Sequence, residues 1–180
     1  MDPAEELEQW LLEGQAARNR ALEGAGFGIP DPSTLLRLSG MEAMVAAVSG
    51  ELPAAPMEAA MSYRLIEAEK GRVLHQGSPS NDYRNPAGTI HGGWIATMLD
   101  SCMTGAIYTL LEPHRGYSTI EMSVNFIKPV TTKVRALRAE GKVIHSGRQL
   151  ATAEGRLYGP GNVLFAHAKT TCYLFDVPAR

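Results

Sequence analysis

One long apolar stretch determines the fold: His91-Gly-Gly-Trp-Ile-Ala-Thr-Met-Leu-Asp-Ser-Cys-Met-Thr-Gly-Ala-Ile-Tyr-Thr-Leu-Leu111. It is apolar on nearly every side, which is typical of a helix that is enclosed by protein. A length of about 20 residues would also allow a membrane span, but Asp100 at its middle would cost about 2.5 to 3.5 kcal/mol there. We therefore predict a buried helix and no association with a membrane.

The sequence on both sides of this helix alternates between apolar and polar residues, as β-strands do. Before the helix, two short runs over 61–65 and 72–76 are joined by a turn and predict a hairpin. After the helix, we predict four strands, over 118–127, 132–145, 149–158 and 163–175. This order predicts an α+β fold, in which a mainly antiparallel sheet wraps one long central helix.

The first strand after the helix has the clearest alternation. Ile120, Met122, Val124 and Phe126 are separated by polar residues. Side chains at alternate positions of a strand point to the same face. We therefore expect these four side chains to lie on one face of the strand.

The N-terminal part is predicted to be helical and separate from the main domain. We divide the chain into an N-terminal helical extension, residues 1–56, and a main domain, residues 57–180. Helices are predicted over 3–22 and from 33 to about 48, joined by a glycine-rich linker. This linker does not match a dinucleotide-binding loop, because Ile29 replaces the last glycine and no strand precedes it. We expect few contacts across the linker, so that removal of residues 1–32 would leave a folded, active protein.

Charge and cysteine content exclude several kinds of partner. Residues 1–57 have three basic and nine acidic residues, a net charge of −6, and the remainder carries +4. An acidic arm argues against nucleic-acid binding, whereas a mildly basic body suits a small phosphorylated ligand. Cys102 and Cys172 have neither metal-binding nor disulfide-framework spacing, and no signal peptide is visible. We expect a cytoplasmic protein with no metal site.

Asp100 is the only formally charged residue between His91 and Leu111. A buried carboxylate without a partner is costly. Asp100 must therefore be hydrogen-bonded, exposed in a cleft, or retained for chemistry.

The start of the helix is a second candidate for chemistry. The first backbone N–H groups of a helix have no intrahelical partner, and the helix dipole is positive there. The amides of Gly92 and Gly93 could therefore bind a carbonyl oxygen that becomes negative during acyl transfer. The same residues are equally compatible with an ordinary glycine-rich helix start that is capped by His91.

The spacing of these two features constrains how they can cooperate. Asp100 lies eight residues after Gly92, about 12 Å along a helix that rises ~1.5 Å per residue. One carbonyl group cannot contact both residues of the same chain. If both are catalytic, we expect a dimer with two shared sites.

The segment Asn85-Pro-Ala-Gly-Thr-Ile-His-Gly-Gly-Trp-Ile-Ala-Thr-Met-Leu-Asp100 resembles the signature of the PaaI-like hotdog-fold acyl-CoA thioesterases. The resemblance continues to both sides and covers roughly residues 34 to 175. It implies a hotdog fold and hydrolysis of the thioester of an acyl-CoA substrate without a cofactor. It also implies a homodimer, or a homotetramer built as a dimer of dimers.

The resemblance also implies roles for individual residues. Asp100 would be the general base or the nucleophile, and the Gly92 amide would polarise the thioester carbonyl. Asn85 would position the carbonyl or the attacking water, and His91 would order the loop and the helix start.

The resemblance also implies three further site residues, which rank below the four named above. Thr104 and Thr119 match positions where hydroxyl groups orient the water, and Arg148 matches a basic position that can contact the phosphates of coenzyme A. The residues that follow Asp100 depart from the pattern of relatives, which leaves the acyl pocket undefined. Two alternatives are a hotdog hydratase or dehydratase, which would need a histidine–acid pair, and a non-catalytic acyl-CoA-binding regulator.

Overall fold

The computed structural model describes residues 2–178. Its strands form one antiparallel sheet in the order β1-β2-β4-β5-β6-β3. The strands are β1 (Tyr63–Glu69), β2 (Arg72–Gly77), β3 (Arg115–Phe126), β4 (Leu137–Ser146), β5 (Leu150–Gly159) and β6 (Val163–Asp176). The helices are α1 (Pro3–Glu23), α2 (Pro32–Arg37), α3 (Gly40–Ser49), α4 (Pro56–Ala60) and α5 (Gly92–Tyr108).

The sheet wraps α5, which confirms the predicted architecture. Side chains along α5 are fully buried, among them Met98, Leu99, Cys102 and Met103. The helix approaches β4 so closely that a Cβ atom on Gly141 would lie 2.2 Å from the carbonyl oxygen of Cys102. None of the helices in residues 2–178 is both long and apolar enough to cross a bilayer.

Two predicted boundaries were wrong. The strand predicted from residue 132 begins at Leu137, because a turn in which the Val134 N–H donates to the Thr131 carbonyl at 3.0 Å comes first. The helix predicted from residue 33 to 48 is divided into α2 and α3. Ser39 begins α3 with a capping box, in which the Ser39 N–H donates to the Glu42 carboxylate at 2.8 Å.

The N-terminal arm, residues 2–56, packs on the domain at two places, and the expectation of few contacts across the linker was wrong. The glycine-rich segment is itself ordered, because Gly28 donates to Ala54 at 3.0 Å and Ala54 donates to Gly26 at 2.9 Å. Gly24 passes so close to Gly50 that a Cβ atom would lie 2.2 Å from its carbonyl oxygen. The boundary between residues 1–56 and 57–180 stays a prediction.

Helix α1 covers the outer face of the sheet. Trp10 is only 4% exposed. The Gln76 side chain donates to the Trp10 carbonyl at 2.6 Å, and the Arg138 guanidinium lies 4.4 Å from the Trp10 ring centre. Arg138 also binds the Glu13 carboxylate. This polar and aromatic cluster fixes α1 to β2 and β4.

We therefore predict that Trp10→Ala lowers the free energy of unfolding by about 3 to 5 kcal/mol, because it leaves a large cavity between α1 and the sheet. Urea unfolding followed by circular dichroism measures this change. Leu12→Ala is the control, because Leu12 is 74% exposed. Equal effects of the two substitutions would contradict the packing described here.

Candidate active site

A β-bulge in β3 aims Thr119 at Asp100. The pairing of β3 with β6 shifts between Thr119 and Glu121, so that Ile120 is an extra residue. The Thr119 hydroxyl donates to the Asp100 carboxylate (Oδ1) at 3.1 Å. The prediction that Ile120 shares a face with the apolar residues that follow it in β3 was wrong, because the bulge turns it outward and leaves it 60% exposed. The β3 residues paired with buried residues of β6 are Tyr117, Thr119, Met122, Val124 and Phe126.

The environment of Asp100 makes its carboxylate more basic. Asp100 is half-buried, and burial raises the pKa of its carboxyl group, an effect that the Thr119 hydrogen bond partly offsets. No basic side chain of residues 2–178 forms a salt bridge with it. A carboxylate of this kind is suited to accept a proton from water.

The start of α5 leaves one backbone amide available. His91 is the N-cap, and its Nδ1 accepts a hydrogen bond from the Gly93 N–H at 2.8 Å. The Gly93 amide is therefore already used within the chain, and its predicted role in substrate binding stays a prediction. Within the described part of the chain, the Gly92 N–H donates to no acceptor. Gly92 is thus the better placed of the two amides to bind an oxyanion.

Asn85 organises the loop before α5. Its Oδ1 accepts from the N–H groups of Ala87 at 3.0 Å and Thr89 at 3.2 Å, and its Nδ2 donates to the Thr89 hydroxyl at 2.9 Å. A hydrogen bond from the His91 N–H to the Tyr83 carbonyl, at 2.7 Å, also fixes this loop. Asn85 and His91 therefore lie with Gly92 at the start of α5, away from the Asp100 carboxylate in the same chain.

The start of α5 packs against the C-terminal end of β3, where Phe126 lies over Gly92. A Cβ atom on Gly92 would lie 3.0 Å from the Phe126 ring, so the ring lies directly over this glycine. Thr119, in contact with Asp100, is near the other end of the same strand. The two halves of the predicted site therefore lie at opposite ends of β3.

Within the described residues, the side chains of Thr104 and Arg148 form no hydrogen bond with the Asp100 carboxylate. The Thr104 hydroxyl donates to the backbone carbonyl of Asp100 at 2.8 Å, the usual local bond of a helical threonine. Arg148 is exposed in the turn between β4 and β5, where its carbonyl accepts from Arg115 at 2.6 Å. The substrate contacts predicted for both residues stay predictions.

Sequence reasoning missed a cavity that lies against α5. Its volume is about 280 Å³, and its lining includes His75, Glu58 and Ser101. His75 is 5% exposed, and burial lowers its pKa to about 3, so that the imidazole is neutral. Burial raises the pKa of Glu58, whose Oε2 accepts from the Leu65 N–H at 3.1 Å.

Strand alternation was the signal for His75. It lies between Val73 and Gly77 in β2, and the alternation places all three on the face toward α5. No hydrogen bond within residues 2–178 joins His75 to Glu58 or to another carboxylate. The histidine–acid pair that a hydratase would need is therefore not assembled from these residues.

Part of the chain is similar to known proteins. Residues 87–166 match the family model of the thioesterase superfamily. This segment of the chain is similar to that superfamily. A search of curated proteins found no match.

Solved structures share the fold of the domain. A phenylacetic acid degradation-related protein from Ralstonia eutropha JMP134 aligns with a TM-score of 0.66 and 23% identity, covering 72% of this chain and 98% of that one. A thioesterase family protein from Silicibacter pomeroyi aligns at 0.62 and 24% identity, covering 67% and 90%. A hypothetical thioesterase from Streptococcus pneumoniae TIGR4, solved with coenzyme A, aligns at 0.59 and 19% identity, covering 66% and 89%. These similarities show the hotdog fold.

Proposed function

We propose that this protein is a PaaI-like acyl-CoA thioesterase, which hydrolyses an acyl-CoA to the free acid and coenzyme A. The observation that carries the proposal is the Asp100 carboxylate, held by Thr119 at 3.1 Å and made more basic by burial. The match of residues 87–166 to the thioesterase superfamily supports a thioesterase activity. The coenzyme A in the similar S. pneumoniae structure supports coenzyme A as the thiol.

Two mechanisms fit the Asp100 carboxylate. As a general base, it accepts a proton from water while the water oxygen attacks the thioester carbonyl carbon, and the Gly92 amide donates to the resulting oxyanion. The C–S bond then breaks, and the thiolate of coenzyme A takes up the proton. As a nucleophile, the carboxylate attacks the carbonyl carbon itself and expels the thiolate, and water then hydrolyses the mixed anhydride.

The site requires a second copy of the chain, because Gly92 and Asp100 lie apart within one chain. We place the contact between the copies at β3, a strand of 12 residues that pairs only with β6 within the described residues. Its other edge is an unpaired template for a second strand. The exposed hydroxyl of Thr119 would lie at this contact.

The bulge at Ile120 supports a shared site. An antiparallel pairing of two β3 strands about a two-fold axis near Ser123 keeps Met122 opposite Val124 of the partner subunit. Because Ile120 is an extra residue, Thr119 then lies opposite Phe126 of the partner subunit. The Phe126 ring covers Gly92 in each chain. This register therefore brings Asp100 of one chain to Gly92 of the partner subunit, with Asn85 and His91 ordering that half of the site.

We place the enzyme in the cytoplasm, where its two buried free cysteines would stay reduced. It acts as a homodimer, or as a homotetramer built as a dimer of dimers. In the turn after β4, the Arg148 guanidinium would contact the phosphates of coenzyme A.

Release of free thiol from a panel of aliphatic and aryl acyl-CoA substrates tests the proposed activity. We expect hydrolysis of at least one class, at a rate that is unchanged by a chelator. A hydratase would instead consume an enoyl-CoA without releasing thiol, and a regulator would bind acyl-CoA unchanged. Either of those results would overturn the assignment.

The pH dependence of hydrolysis reports on Thr119. The Asp100 carboxylate must be unprotonated to act, so kcat falls as the pH falls through its raised pKa. Thr119→Val removes a hydrogen bond that lowers this pKa, so we expect the acid limb to move to higher pH. At neutral pH, kcat should fall by about 2- to 10-fold. Thr171→Val, on the outward face of β6, should change neither quantity; an unmoved acid limb in Thr119→Val would contradict the role of this hydroxyl.

A further inference from the structure

Arg64 of β1 is a buried cation without a carboxylate partner. Its side chain belongs to a residue that is only 6% exposed. A guanidinium has five N–H donors. Within residues 2–178, Nη1 donates to the Tyr63 carbonyl, Nε is enclosed without an acceptor, and no salt bridge reaches Arg64. Because arginine is rarely buried unless it is paired, this residue lacks the anion that its position calls for.

Glu58 does not supply this anion. It attracts Arg64 electrostatically, but its carboxylate does not come within salt-bridge distance of the guanidinium. Its Oε2 instead accepts a hydrogen bond from the Leu65 N–H at 3.1 Å. Burial raises the pKa of the Glu58 carboxyl group and so disfavours its charged form. The charge of Arg64 is therefore not neutralised by pairing within the described residues.

A second arginine lies near Arg64. Arg18 of α1 is exposed, and in the part of the chain that the structure describes it forms no salt bridge. Burial lowers the pKa of Arg64, Glu58 partly offsets this effect, and the nearby charge of Arg18 lowers the pKa further. Side chains three or four positions apart on a helix can pair. At those distances from Arg18, α1 has no acidic residue, but Gly14, Gln15, Ala21 and Leu22.

The two arginines line one cleft between α1 and the sheet. Its volume is about 270 Å³, and its lining also includes the polar side chains of Gln15, Ser62 and Ser78. Amide and hydroxyl groups can donate hydrogen bonds to an oxyanion alongside the guanidinium groups. Cζ of Arg64 lies 4.2 Å from the centre of the Phe27 ring. A guanidinium that packs on an aromatic ring can still bind an anion through the N–H groups at its edge.

This cleft lies on the opposite face of the sheet from the Asp100 carboxylate. Tyr63 and Arg64 are consecutive in β1, and successive side chains of a strand point to opposite faces. The Tyr63 hydroxyl is hydrogen-bonded to the Ser101 hydroxyl at 2.9 Å, on the α5 side and next to Asp100. Arg64 therefore lies on the side that α1 covers. The cleft is separate from the proposed thioester site.

We propose that this cleft binds the phosphate group of a small molecule other than the thioester substrate, held between Arg18 and Arg64. A phosphate monoester carries a charge of about −1.5 to −2 at pH 7, which matches two guanidinium groups better than a single carboxylate does. The planar fork of arginine also fits the geometry of phosphate oxygens. Because Arg18 belongs to α1 and Arg64 to β1, the bound phosphate would connect the N-terminal arm to the sheet.

The size of the cleft is compatible with this ligand. Its volume of about 270 Å³ equals that of about nine water molecules at ~30 Å³ each. A phosphate group has five non-hydrogen atoms, so the cleft has space for it and for a small attached group.

Titration calorimetry with inorganic phosphate at constant ionic strength tests the site. We expect the wild type to bind phosphate with a Kd on the order of 1 mM, the affinity expected of two charge-assisted hydrogen-bond partners. Arg18→Gln should raise this Kd about tenfold or more, the effect of losing one such partner. Arg156→Gln, at an exposed position of β5 that does not line the cleft, is the matched control and should keep the wild-type Kd.

Two further measurements use the same probe. Arg64→Gln removes the buried cation, and we expect its Kd for phosphate to rise by about tenfold or more as well. If Arg64→Gln does not fold, Arg18→Gln still tests the pair, because Arg18 is exposed. Phosphate should also raise the Tm of the wild type more than that of Arg18→Gln, since a ligand that binds the folded state stabilises it.

The outcomes separate this proposal from the proposed function. If the wild type does not bind phosphate, the site is overturned, and binding that Arg18→Gln does not weaken overturns the two arginines as its ligands. Coenzyme A should leave the Kd for phosphate unchanged. Displacement of phosphate by coenzyme A would mean that the cleft holds a phosphate of the substrate, and would overturn a separate ligand. The proposed function fails on a different measurement, the absence of thiol release from acyl-CoA substrates.

Discussion

Asp100→Asn is expected to lower kcat for acyl-CoA hydrolysis by about 10² or more. Asparagine has nearly the same shape and can still accept the Thr119 hydrogen bond, but it can neither take a proton from water nor attack the carbonyl carbon as a carboxylate does. The substitution therefore removes the chemistry and keeps the packing of α5. Thiol release under saturating substrate measures the loss.

Two controls make this result specific. Circular dichroism and gel filtration should show an unchanged fold and assembly, because Asp100 forms no salt bridge within the described residues. Asp82→Asn changes an exposed aspartate in the loop before α5 and should keep wild-type kcat. Turnover near the wild-type level in Asp100→Asn would remove Asp100 from the mechanism.

Mixing two inactive variants is expected to restore activity. Asp100→Asn damages one half of the proposed shared site, and Asn85→Ala damages the loop that orders the other half. In a mixed dimer, one site receives both lesions and the other receives none. Random co-refolding at equal amounts should give about half of the population as mixed dimers, and so about a quarter of wild-type activity.

The mixed population needs its own controls. Each variant refolded alone should stay inactive, and mass spectrometry under native conditions should show the mixed dimer. If mixed dimers are present and no activity returns, the site is not shared between chains. A mixed dimer of Asp100→Asn and Thr119→Val should contain no intact site, because Asp100 and Thr119 belong to the same half. Activity above that of the Thr119→Val sites alone would therefore also contradict the model.

Local periodicity predicted most of the fold. The continuous apolar character of residues 91–111 and the alternation of the strands are strong signals, and they gave the order of elements correctly. The bulge at Ile120 was not predictable, because an extra residue is recognised only against the pairing of β3 with β6. The break between α2 and α3 was readable from Ser39 and Glu42, a capping box within an otherwise apolar stretch.

Some residues of the candidate site were also predictable from the sequence, and others were not. Asp100 is recognisable as a lone charge in an apolar helix, and His91 as a residue at a helix start. Their neighbours depend on tertiary structure: the bond from Thr119 needs the bulge, and the cavity at His75 needs the arm folded against α5. Contacts between segments far apart in the chain leave no local pattern.

The bulge at Ile120 also affects which strands can be added to the edge of β3. A flat, regular edge of 12 residues would accept almost any extended chain and would promote aggregation. The extra residue bends the strand and interrupts its row of free N–H and C=O groups. The β3 edge is therefore a poorer template for a regular extended chain than a flat edge of the same length would be.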